Sequence, residues 1–155
     1  MRNTLAACAA MLLAGPAFAT GLTIEIEGEA NGTVVIDLID GFMAQTGDVE
    51  FGKSGGDMRR AGTGGSERPD LNAEFSDVPF DRGVVGMARA QNPDSANSQF
   101  FIMFAEGYFL NGQYTVVGRV TEGMEVVDQI KRGSRSANGV VTGEPDMMRR
   151  VSVTD

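Results

Sequence analysis

Short runs in which apolar and polar residues alternate, separated by glycine-rich segments, dominate the sequence after residue 20. Residues 22–27 and 32–39 both alternate in this way, as half-buried β-strands do, and the second run is rich in β-branched residues. Glycine fills 21 of the 155 positions, which favours turns and close-packed loops over long helices. The pattern predicts a single, mostly antiparallel β domain that closes as a small barrel or sandwich.

The rest of the chain contains further strand candidates, one helix and one long loop. Strand character is also present in residues 42–45, 84–88, 99–104, 114–120 and 148–154. The Asn31-Gly32 dipeptide predicts a hairpin between the first two strands. Residues 124–132 form the best helix, because their apolar residues share one face and Gly133 follows the last turn. Residues 47–81 are mostly loop, and a loop of this length in a small domain is usually functional.

The charge and the missing residue types exclude several classes of function. The formal net charge is -8, so the chain lacks the electrostatic basis for general nucleic-acid binding. The sequence contains no histidine, which excludes Ser-His-Asp triads, Cys-His pairs and histidine-ligated metal sites. Its single cysteine excludes an intrachain disulfide and a metal site with several thiolate ligands. Metal sites of these kinds are therefore not expected, and the sequence predicts no cofactor.

The first residues have the composition of an export signal. An arginine precedes an apolar run over residues 5–14, and residues 17–19, Ala-Phe-Ala, form a small-x-small cleavage site. We therefore expect a signal peptide at residues 1–19, a mature domain at residues 20–155 and a periplasmic or secreted location. The apolar run is too short for a permanent membrane span, so no membrane contact is expected after cleavage. Two alternatives have less support: a lipoprotein cleavage site at Cys8, which most of the apolar run follows, and a buried N-terminal helix.

Residues 47–54 satisfy the phosphate-loop pattern G-x-x-x-x-G-K-[ST]. The mechanism behind this pattern needs a strand before the loop and a helix after it. The sequence Ser-Gly-Gly-Asp at residues 54–57 does not favour a helix, and Asp48 and Glu50 place negative charge where phosphate would bind. Nucleotide binding is therefore not expected.

Four separated motifs carry a resemblance to a known family. They are Gly-Phe-Met-Ala-Gln-Thr-Gly-Asp at residues 41–48, Gly-Thr-Gly-Gly at 62–65, Val-Gly-Met-Ala-Arg-Ala with Asn-Ser-Gln-Phe-Phe-Ile at 85–90 and 97–102, and Phe-Leu-Asn-Gly-Gln-Tyr-Thr-Val-Val-Gly-Arg-Val at 109–120. In this order and spacing the chain resembles a bacterial cyclophilin, a peptidyl-prolyl cis-trans isomerase. The resemblance implies an eight-stranded antiparallel β-barrel capped by two helices. It also implies a monomer whose partners are proline-containing peptides and unfolded or folding proteins.

The resemblance further implies a site, residue by residue. It assigns catalytic positions to Phe42 and Gln45. Its substrate-binding positions are Met43, Ala88, Arg89, Ala90, Gln99, Phe101, Phe109, Leu110 and Tyr114. Many family members carry Asn at the position of Arg89, where the peptide contact is largely main-chain, and eukaryotic members often carry Trp at Phe109 and His at Tyr114. Taken singly, any of these aromatic residues could belong to the core, and the two glutamines could be ordinary surface residues.

These residue types fit the chemistry of prolyl isomerisation. The X-Pro bond rotates over a barrier of about 18–20 kcal/mol because the amide is conjugated. No nucleophile, metal or cofactor is needed to lower that barrier. A site must instead hold the proline ring and favour the twisted amide, whose nitrogen becomes pyramidal and basic. The apolar residues of the set suit a proline pocket, and the two glutamines can hydrogen-bond a peptide carbonyl.

One segment that the family contains is absent just before the first motif. The family runs there through an amphipathic helix and a strand that carries the catalytic arginine, so about 25–30 residues are missing by typical element lengths. No arginine lies between Arg2 and Arg59. Counting back from Phe42 places Asp37 or Ile36 at the arginine position. A genuine deletion and a sequence artefact would each explain why the strand candidate at residues 32–39 runs directly into the first motif.

The missing segment leads to expectations for both fold and activity. The barrel should be truncated, with about seven strands and one main helix near residues 124–132. The isomerase activity should be reduced, because the donor toward the prolyl nitrogen is lost. The alternatives are a non-catalytic proline-peptide binding or chaperone-like module, and a site that recruits Arg59 or Arg60 in place of the missing arginine.

Overall fold

The computed structural model of the protein describes residues 8–11, 21–27, 35–39, 41–133, 141 and 145–154. Two predicted features, the cleavage site after Ala19 and the Asn31-Gly32 turn, lie outside these residues. In chain order the elements are β1 (Cys8–Met11), β2 (Gly21–Glu27), β3 (Val35–Ile39), β4 (Met43–Thr46), β5 (Val84–Met87), β6 (Phe100–Met103), a 3₁₀ helix (Tyr108–Leu110), β7 (Val116–Val120), α1 (Met124–Val127) and β8 (Met147–Thr154).

The strands form one sheet in the order β3-β4-β6-β5-β7-β1-β2-β8. Each described pairing is antiparallel, which confirms the prediction of a mostly β, antiparallel domain. Within the described residues the sheet has 8 strands, rather than the about seven expected of a truncated barrel. The additional strand is β1, which lies within the predicted signal peptide and pairs with both β2 and β7.

The predicted hairpin between residues 22–27 and 32–39 is wrong. In the described part of these runs, β2 pairs with β1 and β8, whereas β3 pairs with β4. Gly41, with a φ of 74°, lets the chain reverse between β3 and β4 over a very short connection. A short connection costs little loop-closure entropy, so β3 lies beside the strand that carries Gln45.

Two apolar clusters pack on the central strands β4, β5, β6 and β7. Successive side chains of a strand point to opposite faces, so Phe101 and Met103 of β6 pack in one cluster and Ile102 packs against the other. The first, here called the Phe101 cluster, consists of Phe80, Val84, Ala88, Phe101, Met103 and Leu110. The second, here called the helix cluster, consists of Ala44, Phe104, Val127 and Ile130. The candidate site lies on the side of the Phe101 cluster.

The α1 helix is shorter than the helix predicted over residues 124–132. It spans Met124–Val127, and the N–H groups of Gln129 and Ile130 bond carbonyls three residues back, at 3.1 and 3.3 Å. Bonds of this kind tighten the chain and end an α-helix. The predicted apolar face is confirmed, because Val127 and Ile130 are 1% and 4% exposed. Within the described ranges, no helix is long and apolar enough to span a bilayer.

Candidate active site

A small cavity of about 110 Å³ opens on the side of the Phe101 cluster. Its lining consists of Phe42, Met43, Gln45, Ala88, Arg89, Phe101, Leu110 and Tyr114. These residues come from distant stretches of the sequence, and all of them belong to the set that the family resemblance implied. Since a cavity of about 150 Å³ holds one benzene ring, the small cavity is of the right order for a single small ring.

The floor of the small cavity is a stack of buried aromatic rings. Phe101 is 3% exposed. Its ring stacks on Phe80 with the centroids 5.7 Å apart and meets Tyr114 edge-on, at 5.7 Å and 86°. Gly86 makes room for this stack, because a Cβ atom there would lie 2.5 Å from Cζ of Phe101. The floor is therefore an apolar surface whose ring positions are fixed by packing on several sides.

The rim of the small cavity carries an aromatic pair, of which Phe42 is half-buried and Phe109 is exposed. Phe42 stacks on Phe109 with the centroids 5.3 Å apart and an interplanar angle of 25°. Phe109 is 66% exposed and is held by the 3₁₀ helix, where its backbone oxygen accepts a hydrogen bond of 2.6 Å from Nε2 of Gln113. Phe109 does not line the small cavity itself, but it continues the apolar surface of Phe42 outward. An incoming chain would therefore meet this ring at the entrance.

The two glutamines form one hydrogen-bonded wall. Nε2 of Gln45 donates to Oε1 of Gln99 at 2.8 Å. Nε2 of Gln99 donates in turn to the backbone oxygens of Gly62 and Gly64, at 3.0 and 2.7 Å. A side-chain amide has two N–H donors, so Gln45 retains a second one for a ligand. Sequence reasoning treated the two glutamines separately, whereas the structure links them to each other and to the long loop.

Asp48, which sequence analysis did not assign to the site, organises the loop behind this wall. Its carboxylate is buried, with the residue 4% exposed. Oδ1 accepts the N–H groups of Glu50 and Phe51, at 3.0 and 2.8 Å, and Oδ2 accepts those of Gly62 and Gly64, at 2.9 and 3.0 Å. These bonds hold the loop in the position from which its carbonyls fix Gln99. The signal in the sequence was an acidic residue beside Gly-rich segments, where backbone N–H groups are accessible.

The environment of Asp48 favours its ionised form. Burial raises the pKa of a carboxyl group, but the backbone N–H groups of Phe51, Gly64 and Glu50 outweigh that effect and hold the pKa of Asp48 below its ordinary value of 3.8. Asp48 therefore carries its charge throughout the neutral range. This arrangement requires glycine at position 64, because the Cβ atom of any other residue there would lie 2.5 Å from Oδ1 of Asp48.

A larger cavity of about 460 Å³ adjoins the small one. Its lining consists of Gln45, Gly62, Thr63, Gly64, Gly65, Ser66, Asp70, Ala88, Arg89, Ala90, Ser95, Asn97 and Gln99. Asn97 ties its walls together, since Oδ1 accepts the N–H of Ser66 at 2.8 Å and Nδ2 donates to Oδ1 of Asp70 at 2.9 Å. Ala90 and Gln99, both implied by the resemblance, lie here rather than in the small cavity. The shared wall of Ala88, Arg89 and Gln45 makes the two cavities one continuous surface.

Arg89 contributes its side chain, not only its backbone, to this shared wall. The guanidinium carbon lies 4.5 Å from the centroid of the ring of Tyr114, which itself lines the small cavity, and Arg89 is among the lining residues of both cavities. The other arginines proposed for the site lie elsewhere. Arg59 pairs with Asp57 at 3.0 Å on the exposed loop, and neither Arg59 nor Arg60 lines either cavity. In the described part of the chain, no group of three or more acidic or cysteine side chains could hold a metal ion.

Comparisons with known proteins identify the family of the chain. The sequence profile of the cyclophilin-type peptidyl-prolyl cis-trans isomerase/CLD family matches residues 18–153. The chain belongs to the cyclophilin family. The matched range includes every residue that lines the two cavities.

Individual cyclophilins show the same relationship. A probable peptidyl-prolyl cis-trans isomerase of Brucella melitensis is 60% identical over 129 residues, which cover 82% of this chain and 65% of the relative. The chain thus spans slightly less than two thirds of that relative's length. Peptidyl-prolyl cis-trans isomerase B of Escherichia coli is 36% identical over 137 residues, covering 83% of this chain and 74% of the relative.

A solved cyclophilin supports the fold. The crystal structure of a Cryptosporidium parvum cyclophilin-type peptidyl-prolyl cis-trans isomerase, determined in the presence of the dipeptide Ala-Pro, superimposes with a TM-score of 0.65. It covers 95% of this chain and 99% of that chain, at 20% sequence identity. At that identity the likeness concerns the cyclophilin fold, which matches the antiparallel sheet described above.

Proposed function

We propose that this cyclophilin is a peptidyl-prolyl cis-trans isomerase that acts on proline-containing peptides and on unfolded or folding proteins. The observation that carries the proposal is the small cavity, which the family's proline-pocket positions line together. The supporting evidence is family membership and the continuous surface that the two cavities form. No cofactor enters the proposed reaction, because rotation about an amide bond transfers no group.

The proposed mechanism begins with burial of the proline ring. The ring enters the small cavity and packs on Phe101, which stabilises the bound peptide by removing apolar area from water. The remaining N–H of Gln45 donates to a carbonyl next to the X-Pro bond. Once the ring is held, the part of the peptide that precedes the proline must rotate. It does so along the wall of Gln45, Ala88 and Arg89 that the two cavities share. Catalysis arises only from contacts that are stronger for the twisted amide than for the planar one.

The proposed site is least complete for the step that favours the twisted amide. In the family, an arginine donates toward the prolyl nitrogen as it becomes basic. The strand that takes the place beside β4 is β3, where Asp37 stands in register with Gln45. An aspartate offers no cation there. By analogy with loss of one oxyanion-hole donor, we expect turnover to be about 10²–10³-fold below that of an intact cyclophilin.

A non-catalytic proline-peptide binding or chaperone-like module is the second candidate. The missing arginine favours it, because the binding surface does not depend on that residue. An exchange assay by NMR on an Ala-Pro peptide separates the candidates, with the Escherichia coli relative as reference. Measurable catalysed exchange supports the isomerase, whereas peptide binding without catalysed exchange supports the binding module. Absence of both would contradict the proposed site.

We further propose that the chain is exported to the periplasm or secreted, after cleavage behind Ala19. The support is the charged start, the apolar run and the Ala-Phe-Ala site. Intact-mass measurement of the exported protein should give a chain that begins at Thr20. A protein that keeps Met1, or one lipidated at Cys8, would contradict this proposal.

A further inference from the structure

Arg89 carries a charge that faces only neutral acceptors. Its Nε and Nη2 atoms donate to the backbone oxygen of Gln113, at 3.1 and 2.8 Å. Its Nη1 atom donates to the backbone oxygens of Ala90 and Gln91, at 2.8 and 3.4 Å. These four bonds engage four of the five N–H groups of the guanidinium, so one N–H of Nη2 is left over. The side chain is therefore fixed in place while its positive charge is not neutralised by these partners.

Three other arginines of the described chain differ from Arg89 in this respect, and none of the three lines either cavity. They form ion pairs: Arg59 with Asp57 at 3.0 Å, Arg82 with Asp128 at 2.7 Å, and Arg119 with Asp81 at 3.7 Å. For Arg89, no carboxylate of the described residues lies within ion-pair distance. Because an arginine keeps its charge at every physiological pH, this position presents a permanent cation at the boundary of the two cavities.

We propose that Arg89 makes the site selective for proline peptides in which a residue adjoining the proline is acidic. The inference rests on the proposed function, since it requires the proline ring to occupy the small cavity that Arg89 lines. A residue next to that proline passes the cavity boundary, where its carboxylate can meet the free N–H and the charge of the guanidinium. The contact of Arg89 with Tyr114 holds the cation in position before the peptide binds, which reduces the entropy lost on binding.

The larger cavity limits how far from the proline the acidic residue can lie. Asp70 lines that cavity, and its Oδ1 accepts a hydrogen bond of 2.9 Å from Asn97. The carboxylate of Asp70 repels a second carboxylate placed deeper in the cavity. The preference should therefore be confined to the residues immediately before and after the proline.

Matched pairs of peptides test this selectivity. One pair carries Glu or Gln immediately before the proline, and a second pair carries Glu or Gln immediately after it. The catalysed exchange rate, expressed as kcat/KM, is measured by NMR for each peptide. We expect a Glu-to-Gln ratio of about three- to fivefold at one of the two positions, the size expected for a partly exposed ion pair. Raising the salt concentration to about 0.5 M should reduce that ratio.

Variants of the chain assign the ratio to Arg89. In Arg89→Gln the ratio should fall to about one, and in Arg89→Lys, which keeps the charge but loses the planar fork, it should stay above one but below the original. Arg59→Gln removes the same charge from the exposed loop outside both cavities and should leave the ratio unchanged. Using the ratio within each variant cancels any change in overall activity.

Two outcomes overturn the inference. One is a ratio of one at both positions in the unaltered protein, and the other is a raised ratio that Arg89→Gln leaves intact. If no peptide shows catalysed exchange, the proposed isomerase activity fails separately, and the same ratios are then measured as Kd by fluorescence anisotropy of labelled peptides. Equal Kd values for the Glu and Gln peptides, or no binding of either, would overturn the inference on that route as well.

Discussion

The region from β4 to β7 and the region from β1 to β3 carry the family's site to different degrees. The first region supplies the whole lining of the small cavity, from Phe42 to Tyr114, together with the glutamine wall. In the second region, the strand beside β4 carries Asp37 in register with Gln45, and the sequence contains no arginine between Arg2 and Arg59. Both regions contribute strands to the same sheet. They therefore differ in the residues that they bring to the site and not in whether their strands pair.

This contrast separates binding from turnover. In the proposed mechanism the proline ring is held by apolar packing, which the residues that line the small cavity can provide. The donor proposed to favour the twisted amide is an arginine, and the sequence contains none between Arg2 and Arg59. Because only interactions that strengthen in the transition state raise the rate of the chemical step, a site of this kind should bind better than it catalyses.

The largest expected effect comes from the floor of the small cavity. Phe101→Ala removes a ring that is 3% exposed and leaves a void beneath Tyr114, so we expect the free energy of unfolding to fall by about 3–5 kcal/mol. Urea unfolding followed by circular dichroism measures the change. A loss below about 1 kcal/mol would mean that the floor is not tightly packed.

The next effect concerns Asp48, which links the loop to the glutamine wall. Asp48→Asn replaces one carboxylate oxygen by an N–H₂ group that faces the N–H donors of Gly62 and Gly64 or of Glu50 and Phe51. We expect a loss of about 2–3 kcal/mol in unfolding free energy at neutral pH, because hydrogen bonds to a charged acceptor are lost. Asp57→Asn, which alters only exposed hydrogen bonds from the side chain and backbone N–H of Arg59, is the control and should leave the unfolding midpoint nearly unchanged.

The same carboxylate predicts a pH dependence. The pKa of Asp48 is lower in the folded protein than its ordinary value of 3.8. Its contribution to stability is therefore fully present above that value and is lost as the pH falls through the folded pKa. The stability difference between the unaltered protein and Asp48→Asn should be constant between about pH 5 and 7 and should shrink below about pH 4. A difference that persists unchanged at low pH would contradict the assignment.

The sequence predicted the first region well for physical reasons. Its strand candidates at residues 42–45, 84–88, 99–104 and 114–120 overlap β4 to β7, and Phe42, Phe101 and Tyr114 line one cavity, as expected from the resemblance. What it could not predict there were contacts made through the long loop. The bonds from Asp48 to Gly62 and Gly64 join residues far apart in the chain, and no local periodicity signals them.

The second region was predicted less well, because its local signals compete. The Asn31-Gly32 dipeptide favours a hairpin with β2, but the short connection at Gly41 favours pairing of β3 with β4. β1 was not expected either, because an export signal and a short apolar strand have the same composition. Cleavage at the predicted site would remove β1 from the chain. Strands β7 and β2 would then lose the strand with which both of them pair.

The smallest expected effect concerns the rim of the cavity. Phe109→Ala removes an exposed ring that stacks on Phe42, so it should leave the unfolding midpoint nearly unchanged. Binding of an Ala-Pro peptide should weaken by about two- to tenfold, the range expected for loss of one aromatic contact. Titration calorimetry measures this change. Unaltered affinity would show that the peptide does not reach the rim, and the small cavity alone would then hold the proline.

The central proposal is that this cyclophilin binds proline peptides without a cation that favours the twisted amide, and Asp37→Arg tests it most directly. Asp37→Asn, which removes the negative charge without adding a donor, is the matched control. Both are compared with the unaltered protein by kcat/KM in the NMR exchange assay and by peptide Kd. We predict that Asp37→Arg raises kcat/KM by about tenfold or more, that Asp37→Asn changes it much less, and that Kd stays similar in all three. Turnover in the unaltered protein equal to that of the Escherichia coli relative, or no gain in Asp37→Arg, would contradict the account.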